Sequence, residues 1–365
     1  MAKVRVLVVE DSVTIRKRLV EVLEQDPHFE VVGEASDGRQ AIDRCLALRP
    51  DAVTMDMMLP GMSGLAATEY IMAHCPTPIL VVSASSNRGE VFETYDALAA
   101  GAVEVIEKPT GREEPGAWER DFRSTLKIVA RVRVITHPRA RLTHTFQEPR
   151  KVVSPSSLPT ASGNGHAREP RELTVLGVGA STGGPNALVE VLRALPKSFE
   201  PPVLVVLHIG AAFAPAFGEW MATQLPRPVA YARGGEVVET LAGRVTLAPP
   251  DRHLIVRGGR LALTDDPERH SCRPSVDVLF ESLAREYGRE AAACLLTGMG
   301  RDGALGMLAL RRSGAATVAQ DEATSVVYGM PREAALLGAA ERILPLGEIG
   351  AALAALARGG KSVPP

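Results

Sequence analysis

The sequence predicts an α/β protein of two doubly wound parallel sheets joined by a polar tether, and three observations carry that prediction. Short, almost wholly apolar runs alternate with amphipathic stretches of helical period, once over residues 1–125 and again after residue 172. Fully apolar strands between such helices mean parallel sheets covered on both faces. Between the two series, from about 136 to 171, "THPRARLTHTFQEPRKVVSPSSLPTASGNGHAREPR" loses all periodicity and is rich in Pro, Ser and Arg, the composition of a solvated linker. At 365 residues the chain is long enough for about two domains, each with its own core. The divisions drawn are 1–125, a linker over 126–171, and 172–360.

In the first series "VRVLVV", "EVVGEA", "DAVTMD", "PILVVSA" and "AVEVIE" read as strands. "TIRKRLVEVLEQ", "GRQAIDRCLAL", "GLAATEYIMAH" and "RGEVFETYDALAAG" read as the helices between them, and "WERDFRSTLKIVARV" as a closing helix. In the second series "ELTVLGVGA", "PVLVVLH", "AAACLLT" and "AATVAQ" are core strands. Their helices fall at "PNALVEVLRAL", "FAPAFGEWMATQL", "SVDVLFESLAREY" and "DGALGMLALRRSG". Residues 228–265 differ: short strands surround Gly258-Gly259, the turn of a β-hairpin. No repeat of fixed period is present.

A net charge of −2 gives no argument for a nucleic-acid or membrane surface, and neither is expected as a partner. No uninterrupted apolar run reaches the roughly 18–20 residues of a membrane span, and "MAKVRVLVVED" turns acidic too soon for a secretory signal. Cys45, Cys75, Cys272 and Cys294 form no C-x-x-C pair and read as reduced, buried thiols of a cytoplasmic protein.

Functional residues of a doubly wound sheet gather beyond the carboxyl ends of its strands. In the first domain those ends carry Glu10 and Asp11, Asp56, Ser83, and Lys108 followed by Pro109. One carboxylate at a strand end would mean little. Three carboxylates, a hydroxyl and an ammonium on one edge suit Mg²⁺ together with a phosphoryl group on Asp56, which Ser83 and Lys108 would bond. Over nearly its whole length this stretch resembles the receiver domain of two-component response regulators, a flavodoxin-like fold. The resemblance implies that Asp56 is the phospho-acceptor, Ser83 the switch hydroxyl and Lys108 its partner, with Mg²⁺ held by Glu10, Asp11, Asp56 and the backbone carbonyl of Met58. Val105 departs from it, standing three residues before the lysine where receivers often carry an aromatic.

The second domain opens on "VLGVGASTGGPNALVE", an apolar run ending in a glycine-rich turn around Ser181. Such a turn either cradles a phosphate or presents a nucleophile. A dinucleotide fingerprint starting at Gly177 would need a third glycine where Thr182 stands, and no acidic residue ends the next strand. "GASTG" instead fits the Gly-x-Ser-x-Gly turn that exposes a serine. His208 ends the following strand, so it shares an edge with Ser181; His253 and His270 compete as bases but lie in or near the hairpin region. Asp302, in the glycine-rich loop of "ACLLTGMGRDG", reads as a helix cap or as the acid that orients His208. The order Ser181, His208, Asp302 differs from that of ordinary α/β-hydrolases.

"GASTGGP", the histidine after the second strand, "RPSVDVLFESLA", "LLTGMGRDGALGM" and "AQDEATSVVYGMPREA" resemble the chemotaxis protein-glutamate methylesterase (CheB-type) family, across both domains and in their order. The resemblance implies a Ser181–His208–Asp302 triad with backbone oxyanion donors at Thr182 and Met299, and no cofactor for the ester hydrolysis. It also implies methylated chemoreceptor helices as substrate, a histidine kinase as phosphodonor, glutamine deamidation as a second reaction, and a monomer. "LHIG" stands where that family usually has Gln-His-Met-Pro. Arg273 and Asp277 match family positions without an assigned role. Two rival readings stay open: a phospho-regulated scaffold with a silent hydrolase domain, and the same chemistry in an array unrelated to swimming. Domain order adds an expectation, that the receiver packs over the triad edge and phosphorylation at Asp56 loosens it.

Overall fold

Apolar strands bury both faces only between layers of helix, and the computed structural model contains two such sandwiches. It describes residues 3–84, 88–111, 113–132, 134 and 173–358; the tether expected over 136–171 lies outside them. The first sheet holds β1 (Val4–Val9), β2 (Phe29–Ala35), β3 (Ala52–Met55), β4 (Ile79–Ser83) and β5 (Glu104–Glu107) in the order β2-β1-β3-β4-β5, all parallel. Helices α1 (Val13–Glu24), α2 (Gly38–Leu48), α3 (Gly64–His74), α4 (Arg88–Ala99) and α5 (Ala117–Val129) cover it. Ser12, Asp37 and Ser63 cap the first three, each accepting a backbone N–H of the first turn.

The second sheet has seven parallel strands in the order β14-β13-β12-β6-β7-β9-β8. They are β6 (Val175–Ala180), β7 (Val203–Leu207), β8 (Val229–Tyr231), β9 (Val245–Leu247), β12 (Ala291–Leu295), β13 (Ala316–Gln320) and β14 (Arg342–Leu344). Around them pack α6 (Gly184–Ala194), α7 (Ala214–Gln224), α8 (Val276–Glu286), α9 (Ala304–Arg312), α10 (Met330–Leu336) and α11 (Leu346–Arg358). Because β7 and β12 flank β6 on opposite sides, the strand order reverses there, and a ligand crevice opens beyond such a switch point. No helix among the described residues is long and apolar enough to cross a membrane.

The region read as a hairpin divides in two. β10 (His253–Arg257) and β11 (Arg260–Thr264) pair antiparallel around Gly258 and Gly259, both at positive φ (57° and 68°), as such a turn requires. β8 and β9, from the same stretch, instead join the main sheet in parallel. Each is three residues long, too short to show a period. The same holds for β14, an edge strand with Arg342 and Ile343 exposed, which sequence patterning did not reveal.

The two domains share an apolar seam. Tyr95 of α4, fully buried, has its ring 5.4 Å from those of both Phe217 and Trp220 of α7, and its hydroxyl donates to the Phe213 carbonyl at 2.8 Å. Trp220 Nε1 donates back to Asp96 Oδ1 at 3.0 Å, and the Asn186 amide of α6 donates to the Leu98 carbonyl. Burying aromatic pairs of this size stabilises a contact by area and by ring geometry.

Candidate active site and phospho-acceptor site

At the carboxyl edge of the first sheet, Lys108 Nζ lies 2.9 Å from Asp56 Oδ1 and 3.0 Å from Glu10 Oε2. Both carboxylates are buried. Burial and the Asp56 charge push the Glu10 carboxyl up to about 7 against the opposing pull of Lys108. One oxygen each of Glu10, Asp11 and Asp56 lies within 4.8 Å of the others, and Asp56 Oδ2 is buried with no hydrogen-bond partner among the described residues. An unpartnered carboxylate oxygen in an acidic nest fits a hard cation or a phosphoryl group. Ser83 lies in the same edge but is turned elsewhere: its hydroxyl donates to buried Glu90 Oε1 (2.9 Å) and accepts from Thr94 Oγ1 (3.0 Å), both of α4. Glu90 and Thr94 carried no motif that would single them out of a helical pattern.

At the second sheet, Ser181 directly follows β6, His208 directly follows β7, and the chain beyond β12 runs through Thr297, Gly298 and Met299 to Asp302. Adjacent strands therefore deliver the three residues to one edge. The loop after β12 comes very close to the serine: a Cβ on Gly298 would stand 2.8 Å from Ser181 Cβ and 2.4 Å from Met330 Sδ. Gly183 (φ 74°) caps α6 where a side chain would strike Val326. Ser181 N donates to Thr297 O at 3.0 Å, locking the serine turn to that loop. The Thr182 and Met299 N–H groups, by contrast, have no acceptor among the described residues, leaving both free to bond an oxyanion.

His208 Nε2 is 2.9 Å from Asp302 Oδ2. Asp302 is buried, and besides the imidazole it accepts Ser275 Oγ (2.7 Å), Val276 N (2.7 Å), Asp277 N (3.0 Å) and Gly303 N (3.1 Å). It thus sits against the first turn of α8 and just ahead of α9, where helix N-termini favour an anion. Burial would raise its carboxyl, but His208, Ser275 and Asp277 hold it below the ordinary range. Burial would likewise depress the imidazole, yet Asp302 and the Cys272 sulfur push it up to about 9. With Nε2 committed to Asp302, the other ring nitrogen, Nδ1, is the one available as a base. It faces Cys272 Sγ at 3.8 Å; no hydrogen bond joins it to Ser181 Oγ.

The competing histidines have other partners. His253 is fully buried, its Nδ1 accepting from Ser275 N (3.1 Å) and its Nε2 lying 3.2 Å from Pro267 O, so it braces the residue that braces Asp302. His270 Nε2 lies 3.2 Å from buried Asp277 Oδ2. Asp277 also takes the Gly306 N–H at 2.6 Å and so ties α8 to α9. Arg273 donates to the Asp265 and Asp266 carbonyls. Ser275, visible in sequence only as a helix start, and Cys272, without a motif, are the neighbours that sequence patterns missed.

A cavity of about 690 Å³ separates the triad edge from β5 and α5 of the first domain, with Thr182, His208 and Cys272 on one wall and Glu104 and Trp118 on the other. The Glu104 carboxylate accepts from Val105 N at 3.1 Å, and burial pushes its carboxyl pKa up.

Comparison with known proteins gives two family matches, "CheB methylesterase" over residues 176–353 and "Response regulator receiver domain" over residues 6–115. A protein-glutamate methylesterase/protein-glutamine glutaminase of Anaeromyxobacter dehalogenans is 43% identical, covering 97% of both chains. One from Nitrosospira multiformis is 42% identical, covering 96% of both. The crystal structure of the Thermotoga maritima CheB methylesterase catalytic domain, 32% identical, covers 51% of this chain and 99% of its own, with a TM-score of 0.48.

Proposed function

From the premise that the chain belongs to the CheB methylesterase family and is a protein-glutamate methylesterase/glutaminase with a receiver domain, we propose that it hydrolyses glutamyl methyl esters on chemoreceptor helices in the cytoplasm under control of phosphorylation at Asp56. The observation that carries the chemistry is the His208–Asp302 bond, made on the same edge as Ser181 and beside two unpaired backbone donors.

In this reading Ser181 Oγ attacks the ester carbonyl while His208 Nδ1 takes its proton, after the side chains close the gap that the resting arrangement leaves. Asp302 fixes the ring and stabilises the imidazolium. The Thr182 and Met299 N–H groups bond the developing oxyanion. The imidazolium returns the proton to the departing methoxide, methanol leaves, and water activated by His208 hydrolyses the acyl-enzyme. A glutamine amide follows the same path with ammonia leaving. Methanol release from methylated receptor membranes tests the reading: none above a blank would overturn it.

For the receiver, Glu10, Asp11, Asp56 and the Met58 carbonyl would hold Mg²⁺, which neutralises charge on phosphoryl oxygens. A histidine kinase supplies the phosphoryl group. Lys108 bonds the phosphoryl group, and Ser83 reaches it only by leaving Glu90 and Thr94, which lie on α4 five residues and one residue before Tyr95 of the domain seam. Asp56→Asn is expected to abolish phosphoryl uptake and leave resting methanol release within about twofold of wild type; persistent labelling would move the acceptor elsewhere.

The resting chain is slow, in this reading, because the receiver covers the triad edge. Glu104 supports it: a glutamyl carboxyl from the protein itself lines the same cavity as Thr182 and His208, where a glutamyl group of the substrate must come. Removing one polar group from the closed cleft is worth roughly 1 kcal/mol, about fivefold in an opening equilibrium. Glu104→Ala should therefore raise methanol release about fivefold without phosphodonor, and much less with it. An unchanged resting rate would count against closure at this contact.

A further inference from the structure

Hydrolysis has no use for a thiol, yet Cys272 lies against the triad base. Its sulfur is 3.8 Å from His208 Nδ1 and 3.4 Å from the His270 carbonyl. Cys45, Cys75 and Cys294 are buried as expected, but Cys272 is part-exposed because it lies in a loop between two cavities. It borders both the 690 Å³ cavity and a second one of about 570 Å³ on the side of Arg301 and Glu333. Ligand atoms of His208, Cys272 and Asp302 all lie within 4.8 Å of one another.

We propose that His208 and Cys272 form a binding site for a thiophilic divalent cation of the zinc class, and that its occupancy switches the hydrolase off. The donor set is a thiolate and an imidazole, which select such ions over Mg²⁺. Asp302 bonds Nε2 and accepts four further donors, so it stays behind the ring as the carboxylate that fixes a metal-binding imidazole. That leaves the Nδ1 lone pair facing the sulfur. Two such ligands on one tetrahedral ion, at about 2.0 and 2.3 Å, stand roughly 3.5 Å apart, close to the separation present. The remaining positions face the two cavities and take water. On binding, S–metal and N–metal bonds form, the thiol proton and any proton on Nδ1 pass to solvent, and the six-coordinate aqua ion sheds four of its waters to become tetrahedral, with no change of oxidation state. The lone pair that would take the Ser181 proton is then occupied.

The inhibition rests on the esterase reading; the binding does not. With Mg²⁺ in excess to fill the receiver carboxylates, Co²⁺ titrated into the full-length protein should give a thiolate-to-cobalt charge-transfer absorption saturating at one ion per chain. Ser181→Ala should keep it, while Cys272→Ala and His208→Gln should each weaken binding at least tenfold. Using two variants from separate segments, the residue after β7 and the loop before α8, separates ligand loss from misfolding, which circular dichroism checks. Zn²⁺ should inhibit methanol release, a chelator should restore it, and Cys272→Ala should need at least tenfold more Zn²⁺ for half-inhibition. Absence of the absorption, or its full retention in Cys272→Ala, overturns the site. Equal Zn²⁺ sensitivity of Cys272→Ala and wild type, with the absorption present, overturns the switch alone.

Discussion

Ser181→Ala is expected to lower methanol release by about four to six orders of magnitude, the loss typical when a serine triad loses its nucleophile. Ser181 sits at the switch point of a seven-stranded sheet, its backbone tied to the Thr297 carbonyl while its hydroxyl bonds neither His208 nor Asp302. The variant therefore loses chemistry without losing a structural bond. Its melting temperature should stay within the small range of neutral surface changes, and phosphoryl uptake at Asp56 should be unchanged. Release within tenfold of wild type, by a folded protein, would mean that another residue is the nucleophile.

Asp302→Asn should cost about 10⁴ in rate, but unlike the serine variant it should also melt early. One carboxylate oxygen takes three donors and the other takes Val276 N and His208 Nε2. An amide can accept at one side only, so its NH₂ must face donors whichever way it turns, at a cost of roughly 2–4 kcal/mol. The same logic gives a pH dependence. The carboxyl is lowered below its ordinary 3.8 in the folded state, so its contribution to stability is complete above that value and declines as pH falls below it. Wild-type stability should lose this increment in acid, and the Asn variant should not. Normal turnover with a normal melting temperature would remove Asp302 from both roles.

The seven-residue α10 and the Ala- and Gly-rich α11 escaped sequence patterning. The other helices and the longer strands were legible from their period, and so was the placement of Ser181, His208 and Asp302 on one edge, because parallel topology sends successive strand ends there. β8, β9 and β14 were not, since three residues carry no period. Glu104 and Cys272 were hidden for a different reason. Each matters through residues far along the chain, the Thr182 wall of the shared cavity for one and His208 for the other, and nothing local distinguishes them. Ser83 illustrates the middle case: its position was readable, but its present bond to Glu90 depends on how α4 packs. Arg273 and Asp277 now have partners, and those partners are structural.

The seam between the domains also determines how the protein can be watched. The chain has two tryptophans. Trp220 is stacked on Tyr95 across the seam with its indole N–H on Asp96. Trp118 lines the cleft, stacked on Phe122 with its N–H on the Glu107 carbonyl. Separation of the domains would bring water to the first indole and leave the stacking of the second intact. Emission from Trp118→Phe protein thus becomes a label-free record of opening, while Trp220→Phe protein supplies the silent reference against which a phosphodonor can be added and timed.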